Sequence, residues 1–153
     1  MKHLNDFLLL ESINLSVKAK EGNTALKEVM KLLQYDPRVS HWENFCQSIL
    51  ERPLFSLRAN DQAAIMIAHG RTSSVRDLVM AAGRNTQGIT FHESEQPVLL
   101  LFIVGIPHEL STEYLRIMGS IARACGNPET LEKLLSTENS HDFMTTLSSE
   151  CEG

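Results

Sequence analysis

Three short apolar runs dominate the middle of the chain, and each is bounded by polar residues or by glycine and proline. They span residues 63–68, 78–82 and 98–104. Apolar residues follow one another in these runs without polar alternation, which is typical of strands that are covered on both faces. The pattern therefore predicts that the three runs form the centre of a sheet with helices on both sides.

Helical spacing of apolar residues precedes the strands. One predicted helix carries Leu26, Val29, Met30 and Leu33 on its buried face, with Asn23 as its N-cap directly after Gly22. A second begins at Ser40 and Glu43, which are spaced as a capping box, and ends before Pro53. The buried face of this second helix is predicted to be Trp42, Phe45, Cys46, Ile49 and Leu50.

Further helices are predicted after the last strand. Tyr114, Met118, Ile121 and Cys125 form one stripe that closes at Gly126, and Asn127 with Pro128 begins the next helix. A short amphipathic segment around Phe143 to Leu147 ends the chain. The predicted fold class is α/β, with a central mixed β-sheet flanked by helices on both faces.

Composition narrows the class of protein. The length of 153 residues fits one domain over residues 1–153, because no linker, repeat or low-complexity stretch interrupts it. A net charge of −5 without a Lys/Arg cluster makes nucleic acid an unexpected partner. No secretory signal or membrane span is recognised, so we expect a cytoplasmic protein without direct membrane insertion.

Sequence motifs for metals and cofactors are missing. Cys46, Cys125 and Cys151 are odd in number and lack metal-ligand spacing, which favours reduced thiols. His3, His41, His92 and His141 are scattered, with no carboxylate or cysteine at ligand spacing, so no metal site is expected. Neither a Walker loop nor a dinucleotide fingerprint occurs, and no cofactor is predicted.

Candidate chemistry lies at the end of the first apolar run. His69 follows it directly and precedes Gly70 and Arg71. Binding crevices of open α/β sheets lie at the carboxyl ends of strands, so His69 is placed where chemistry occurs. A histidine there can act as a nucleophile near neutral pH, because its neutral imidazole offers one free ring nitrogen.

The order of elements around His69 resembles a known family. Four segments are similar to the IIA domain of the fructose/mannitol class of the sugar phosphotransferase system, including its nitrogen-regulatory relatives. They are Ser56 to Gly70, Gly88 to Phe91, the strand after Pro97 and the helix from Thr112 to Met118. The resemblance begins at a predicted opening strand, Glu11 to Leu15, and covers nearly the whole chain. The family's glycines before the histidine are missing here, and Ala68 replaces a proline.

The resemblance implies roles for several residues. His69 would carry the phosphoryl group, and Arg52 would bind that group, with Arg71 and Arg58 as alternatives. Ser56 is interpreted either as a hydroxyl donor to the phosphate or as a turn residue. Gly70 is expected to leave room for a phosphate or a partner to approach the backbone.

Tyr114 stands where the family has its second active-site histidine. A phenol can donate a hydrogen bond to phosphate, but with a reference pKa of about 10 it cannot exchange a proton near neutral pH. His108 is an alternative that could take this place in space. Both assignments remain open at the level of sequence.

Two functions follow from the resemblance. The first is a phosphocarrier that accepts a phosphoryl group from HPr or a similar carrier and passes it to a IIB partner, in sugar uptake or its regulation. The alternative is a regulatory interaction module that has kept the fold and lost phosphotransfer. Retention of His69 and Gly70 favours the first, whereas the missing glycines and second histidine favour the alternative.

Overall fold

A computed structural model describes residues 3–109 and 111–151. The strands in this part of the chain are β1 (Leu8–Asn14), β2 (Phe55–Arg58), β3 (Ala64–Arg71), β4 (Val79–Ile89) and β5 (Val98–Ile106). The α-helices are α1 (Leu4–Phe7), α2 (Gly22–Met30), α3 (Trp42–Leu50), α4 (Ser111–Gly126), α5 (Pro128–Ser136) and α6 (Ser140–Cys151). A turn of 3₁₀ helix, Lys31–Leu33, follows α2.

The strands form one mixed sheet in the order β1-β4-β5-β3-β2. β3 runs parallel to β5, β4 runs antiparallel to β5, and β1 and β2 are the edge strands. The three apolar runs became β3, β4 and β5, so the prediction that they form the centre of the sheet is confirmed. Their side chains are buried on both faces, which explains why they lack alternation.

Helices cover the two faces of the sheet and create two hydrophobic cores. Alternate residues of β3 divide between them: Ile65 and Ile67 pack with α4, α5 and α6, whereas Ala64, Met66 and Ala68 pack with α2 and α3. The predicted α/β fold with helices on both faces is thereby confirmed. The same alternation decides which side chains of β2 and β3 share a face with His69.

Three details at the helices before the strands differ from the prediction. Glu21 caps α2 by accepting hydrogen bonds from the backbone of Asn23 and Thr24, so Asn23 is not the cap. The predicted capping box of the second helix is wrong, because the Ser40 hydroxyl donates a hydrogen bond to the Ser74 carbonyl oxygen, 3.1 Å away. Leu50, predicted to be buried, is 41% exposed.

The sheet also extends beyond its predicted strands. β2 was not predicted, because an edge strand with mostly exposed side chains has no apolar pattern to reveal it. The opening strand occupies Leu8–Asn14, three residues earlier than the predicted Glu11. β4 continues to Ile89, well past the end of its apolar run at Ala82.

Two kinds of feature are absent from the described residues. None of the helices there combines the length and the apolar character that crossing a bilayer requires. Histidine, cysteine and carboxylate side chains in the same part of the chain do not gather into a group of three that could hold a metal ion.

Candidate functional site

His69 lies near the carboxyl end of β3, beside Val104 of the parallel strand β5. It follows Ile65 and Ile67 on the same face of the strand, so its side chain belongs to the side of the sheet that α4 covers. Its imidazole is half-buried there. The structure therefore sets the ring at the margin of the core, partly held by packing and partly open to solvent.

Tyr114 of α4 packs on the imidazole of His69. The two ring centroids are 5.5 Å apart and the ring planes are inclined by 30°, which is a stacked arrangement. No hydrogen bond joins the two side chains among the described contacts. The position predicted for the family's second active-site residue is thus next to His69, but its contact is made by the ring face.

The two nitrogens of His69 lie in different environments. Nδ1 is buried and has no hydrogen-bond partner among the described residues. Nε2 is not buried in this way, so it is the nitrogen that a reaction partner can reach. Packing rather than a hydrogen bond therefore surrounds Nδ1 within the described part of the chain.

Burial lowers the pKa of His69, and the positive charge of Arg52 lowers it further. Both effects disfavour the imidazolium, since burial removes hydration and a nearby cation repels it. His69 is therefore neutral at pH 7. A neutral ring carries the free lone pair that a nucleophile needs.

We expect the NMR titration midpoint of His69 to lie below the ordinary value of about 6.5. Because the unfolded chain binds this proton more readily than the native one, the stabilising contribution is complete above about pH 6.5 and is lost as the pH falls toward the native pKa. In chemical denaturation the wild-type protein should therefore be less stable at pH 5.5 than at pH 7.5. The variant His69→Gln should show a smaller difference in stability between the two pH values. Arg52→Ala should raise the midpoint only in part, because burial remains. A wild-type titration midpoint at or above about 6.5 would contradict the burial of His69 beside a cation.

Arg52 is the cation that acts on His69. It follows α3, is exposed, and has no ion pair or hydrogen bond within the part of the chain that the structure describes. An arginine without a carboxylate partner keeps its planar fork of donors free for an anion. The structure thus brings together His69, Arg52 and Tyr114 from three separate elements.

Arg71 lies at the rim of the same site. It is two residues beyond His69 on the same face of β3, and its Nη1 is 3.5 Å from the backbone carbonyl oxygen of His108. His108 is itself exposed in the segment after β5. Arg71 is therefore directed toward the segment between β5 and α4.

Ser56 and Arg58 lie on the other face of the sheet. Ser56 pairs with Met66 and Arg58 with Ala64, and both of these β3 residues pack against α2 and α3. Residues directly opposite each other in an antiparallel pair share a face, so neither side chain is directed to His69. Arg58 instead makes an exposed ion pair of 2.7 Å with Asp61. The expectation that either one binds a phosphoryl group on His69 is wrong by placement.

Gly70 is buried beneath α3. A Cβ added to Gly70 would lie 2.7 Å from the backbone carbonyl oxygen of Ser48 and 3.3 Å from the side chain of Ile49. The space was expected to admit a phosphate or a partner, and α3 fills it instead. Glycine is required here because the helix backbone approaches the strand closely.

Gly70→Ala should destabilise the protein by about 1–3 kcal/mol, because the helix or the strand must shift to accept the methyl group. The matched control is Gly126→Ala at the end of α4, where an added Cβ meets nothing within 4 Å. We expect the control to change stability by no more than about 0.5 kcal/mol. Chemical denaturation of the two variants checks this difference, and equal stabilities would show that α3 does not constrain Gly70.

Sequence reasoning did not single out the apolar side chains around the site. Phe55 is 47% exposed, and its register opposite Ile67 places it on the face of His69. Leu115, directly after Tyr114, is 68% exposed, and Leu50, two residues before Arg52, is 41% exposed. We call these three residues the apolar rim. Their exposure is a tertiary property, so a pattern that predicts burial of leucine and phenylalanine cannot reveal it.

Comparison of the sequence with protein families identifies a family that covers nearly the whole chain. Residues 6–150 match the family described as phosphoenolpyruvate-dependent sugar phosphotransferase system, EIIA 2. A similar curated protein is the PTS system fructose-specific EIIABC component of Bacillus subtilis strain 168, which is 22% identical over 137 residues. The aligned part is 89% of this chain and 21% of that protein, so the chain spans about a fifth of the relative's length.

Solved structures share the fold. The nitrogen regulatory protein IIA-Ntr of Neisseria meningitidis superposes with a TM-score of 0.75 at 23% identity, covering 94% of this chain and 98% of that one. A complex of enzyme IIA for mannitol with phosphorylated enzyme IIB from Escherichia coli gives 0.72 at 18% identity, covering 94% and 99% of the two chains. These likenesses extend over almost all of each compared chain.

Proposed function

The chain belongs to the EIIA 2 family of the phosphoenolpyruvate-dependent sugar phosphotransferase system, and from that membership we propose that it is a phosphocarrier. His69 accepts a phosphoryl group from HPr or a similar carrier and passes it to a IIB partner. The protein performs this in sugar uptake or in its regulation, in the cytoplasm. Residues 1–153 act as one IIA-like domain.

The environment of His69 is the observation that carries this proposal. Nδ1 is buried and Nε2 is accessible, so phosphorylation at Nε2 uses the neutral tautomer that carries its proton on Nδ1. Nε2 attacks the phosphorus of the donor's phosphohistidine, a new N–P bond forms, and the old N–P bond breaks with its electron pair returning to the donor imidazole. The reverse exchange with the thiolate or imidazole of the acceptor then discharges His69.

Arg52 stabilises the phosphoryl group on His69. A phosphoryl group of roughly two negative charges needs cationic donors, and Arg52 is exposed, unpaired among the described residues and close enough to lower the pKa of His69. Before phosphorylation the same charge adds to the effect of burial in lowering the pKa of the ring. Arg71 is the second cation at the rim, since it lies on the same face of β3 and is directed to the segment beyond β5.

The apolar rim provides the contact surface for the protein partners. Phe55 lies on the face of His69, Leu115 adjoins Tyr114 in sequence and Leu50 lies two residues before Arg52. Exposed apolar side chains beside a reactive site are typical of protein-binding surfaces. The structurally similar mannitol enzyme IIA is known in complex with phosphorylated enzyme IIB. By analogy, a IIB domain is the acceptor that we propose for this chain.

A phosphotransfer assay tests the proposal. The protein is incubated with phosphoenolpyruvate and the general components of the relay, the acid-labile label is mapped by mass spectrometry, and a IIB domain is then added as acceptor. We expect label on His69 and its loss when the acceptor is present. A protein that acquires no label under conditions that charge an active IIA domain would contradict the proposal.

The second candidate function is a regulatory module that binds partners without phosphotransfer. The observation that favours it is Tyr114, which stacks on His69 in the place where the family has an imidazole. Such a module would use the same surface around His69. The phosphotransfer assay separates the two functions, because only the carrier becomes labelled.

Tyr114→His is expected to accelerate phosphoryl exchange, by up to about a hundredfold if the imidazole acts as a general acid or base. Tyr114→Phe keeps the ring that stacks on His69 and removes a hydroxyl that makes no hydrogen bond to it, so its rate should remain near that of the wild type. Rapid-quench kinetics with labelled carrier compares the three proteins. Equal rates for the histidine variant and the wild type would mean that Tyr114 contributes only packing.

A further inference from the structure

A cavity lies at the opposite end of the sheet from His69. Its volume is about 330 Å³, and it is formed by the segment after β1 and the outer part of β4, around Arg84. Arg84 pairs with Leu100 of β5, whereas His69 lies beside Val104 of the same strand. The two β5 residues, Leu100 and Val104, are four positions apart along the strand, which corresponds to roughly 13 Å. The cavity is therefore distinct from the site around His69.

The charged side chains of this cavity are all cationic. Lys18, Lys20 and Arg84 line it together with the polar residues Ser16, Thr86 and Gln87. No described aspartate or glutamate lines it, although the Glu28 carboxylate lies beside it and accepts hydrogen bonds from the backbone N–H groups of Lys18 and Ala19. The protein as a whole has a net charge of −5. Among the described residues neither lysine makes an ion pair. A local excess of positive charge in an acidic protein favours an anionic ligand.

Arg84 is fixed in place by three backbone carbonyls. Its Nε donates to Leu15, and its Nη1 donates to Leu134 and Thr137 at 3.0 and 2.7 Å. The last two are carbonyls at the C-terminal end of α5, where a cation is favourable. These bonds engage Nε and Nη1 only. Nη2 has no hydrogen-bond partner in the described part of the chain, and Arg84 is one of the residues that line the cavity.

The guanidinium is also half-buried without a carboxylate partner. Burial lowers the pKa of Arg84, which means that its charge is incompletely solvated. An anion that reaches Nη2 would relieve this cost and would bind without first ordering the arginine side chain. Arg84 is thus a preorganised anchor, and the two flexible lysines surround it.

We propose that this cavity binds the phosphate group of a small phosphomonoester. Arg84 Nη2 is the anchoring donor, Lys18 and Lys20 supply the remaining charge, and Ser16, Thr86 and Gln87 contact the polar part of the ester.

The size and the chemistry of the cavity support this class of ligand. A volume of about 330 Å³ is at the lower end of small-molecule sites, so it suits a small metabolite. A phosphomonoester carries about 1.5 to 2 negative charges and three acceptor oxygens, which matches three convergent cations. The hydroxyl and amide side chains along the rest of the wall suit a hydroxylated ligand such as a sugar phosphate.

Calorimetry and amide NMR shifts test the proposal with four probes: glucose 6-phosphate, inorganic phosphate, glucose and succinate. We expect saturable binding of glucose 6-phosphate with shifts at Ser16, Thr86 and Gln87, weaker binding of inorganic phosphate, and no binding of glucose. Lys18→Gln combined with Lys20→Gln should weaken binding about tenfold or more. The matched control is Lys27→Gln with Lys31→Gln, which removes the same charge from exposed positions elsewhere and should bind as the wild type does.

An Arg52→Ala arm separates this cavity from the site at His69. Binding in the proposed cavity is unchanged by Arg52→Ala, so a loss in that variant, with shifts near His69, would overturn the proposal and leave the phosphocarrier function untouched. If both double lysine variants weakened binding equally, the effect would be one of net charge, which would also overturn the proposal. So would binding of succinate as tight as that of glucose 6-phosphate, or the absence of saturable binding.

Discussion

His69→Gln should reduce acid-labile phosphorylation of the protein to background. Glutamine keeps a polar side chain of similar size at the margin of the core but has no ring nitrogen that can form an N–P bond. Because His69 is half-buried against Tyr114, the variant should remain folded, with circular dichroism unchanged. Labelling from phosphoenolpyruvate through the general components, followed by mass spectrometry, measures the effect.

His108→Gln is the matched control for this experiment. His108 is exposed in the segment after β5, near the site, and only its backbone carbonyl takes part in a described contact, with Arg71. The His108→Gln variant should be labelled to the same extent as the wild type. Retention of label in His69→Gln would refute His69 as the phosphoacceptor, and loss of label in His108→Gln alone would assign that role to His108.

Arg52→Ala should lower the equilibrium constant for phosphorylation by about tenfold. A hydrogen bond to a charged group contributes roughly 1.5–3 kcal/mol, and the exposure of Arg52 favours the lower end of that range. The thermal unfolding temperature should hardly change, because Arg52 has no partner in the described part of the protein. The phosphorylated fraction is measured after equilibration with a defined ratio of charged to uncharged carrier.

Arg58→Ala makes the same chemical change on the other face of the sheet. Arg58 is exposed and paired with Asp61, so its removal should leave the phosphorylated fraction unaltered. A similar decrease in both variants would indicate a general effect of net charge. Should Arg52→Ala keep the wild-type fraction, Arg71 would become the principal phosphate ligand, and Arg71→Ala would then show the tenfold effect.

The centre of the sheet and its class could be derived from sequence because they depend on local composition. A run such as 98–104, apolar at every position, short and flanked by Pro97 and Gly105, favours a strand covered on both sides, whichever strands become its neighbours. The start of α5 was equally local, since Asn127 caps the helix through bonds to residues two and three positions later and Pro128 fits its first turn. The placement of His69 at the end of a central strand followed directly from the first of these patterns.

The site itself was only partly accessible to this reasoning. Proximity in sequence made Ser56 and Arg58 candidates, yet the register of β2 against β3 puts both on the face away from His69. Conversely, Phe55 was overlooked although it occupies the correct face. A shift of one residue in strand register exchanges the two faces, and nothing within a short exposed segment such as β2 specifies that register.

The sequence by itself determined the order of the elements, the apolar centre of the sheet and the histidine at its edge, since these follow from periodicity, capping and composition over neighbouring residues. Only the tertiary structure decided that Tyr114 stacks on His69, that Arg52 lowers its pKa, that α3 covers Gly70, and that Arg84 anchors a separate cationic cavity. Each of these is a contact between segments far apart in the chain. Such contacts depend on how whole layers pack on one another, and local sequence patterns carry no record of that packing.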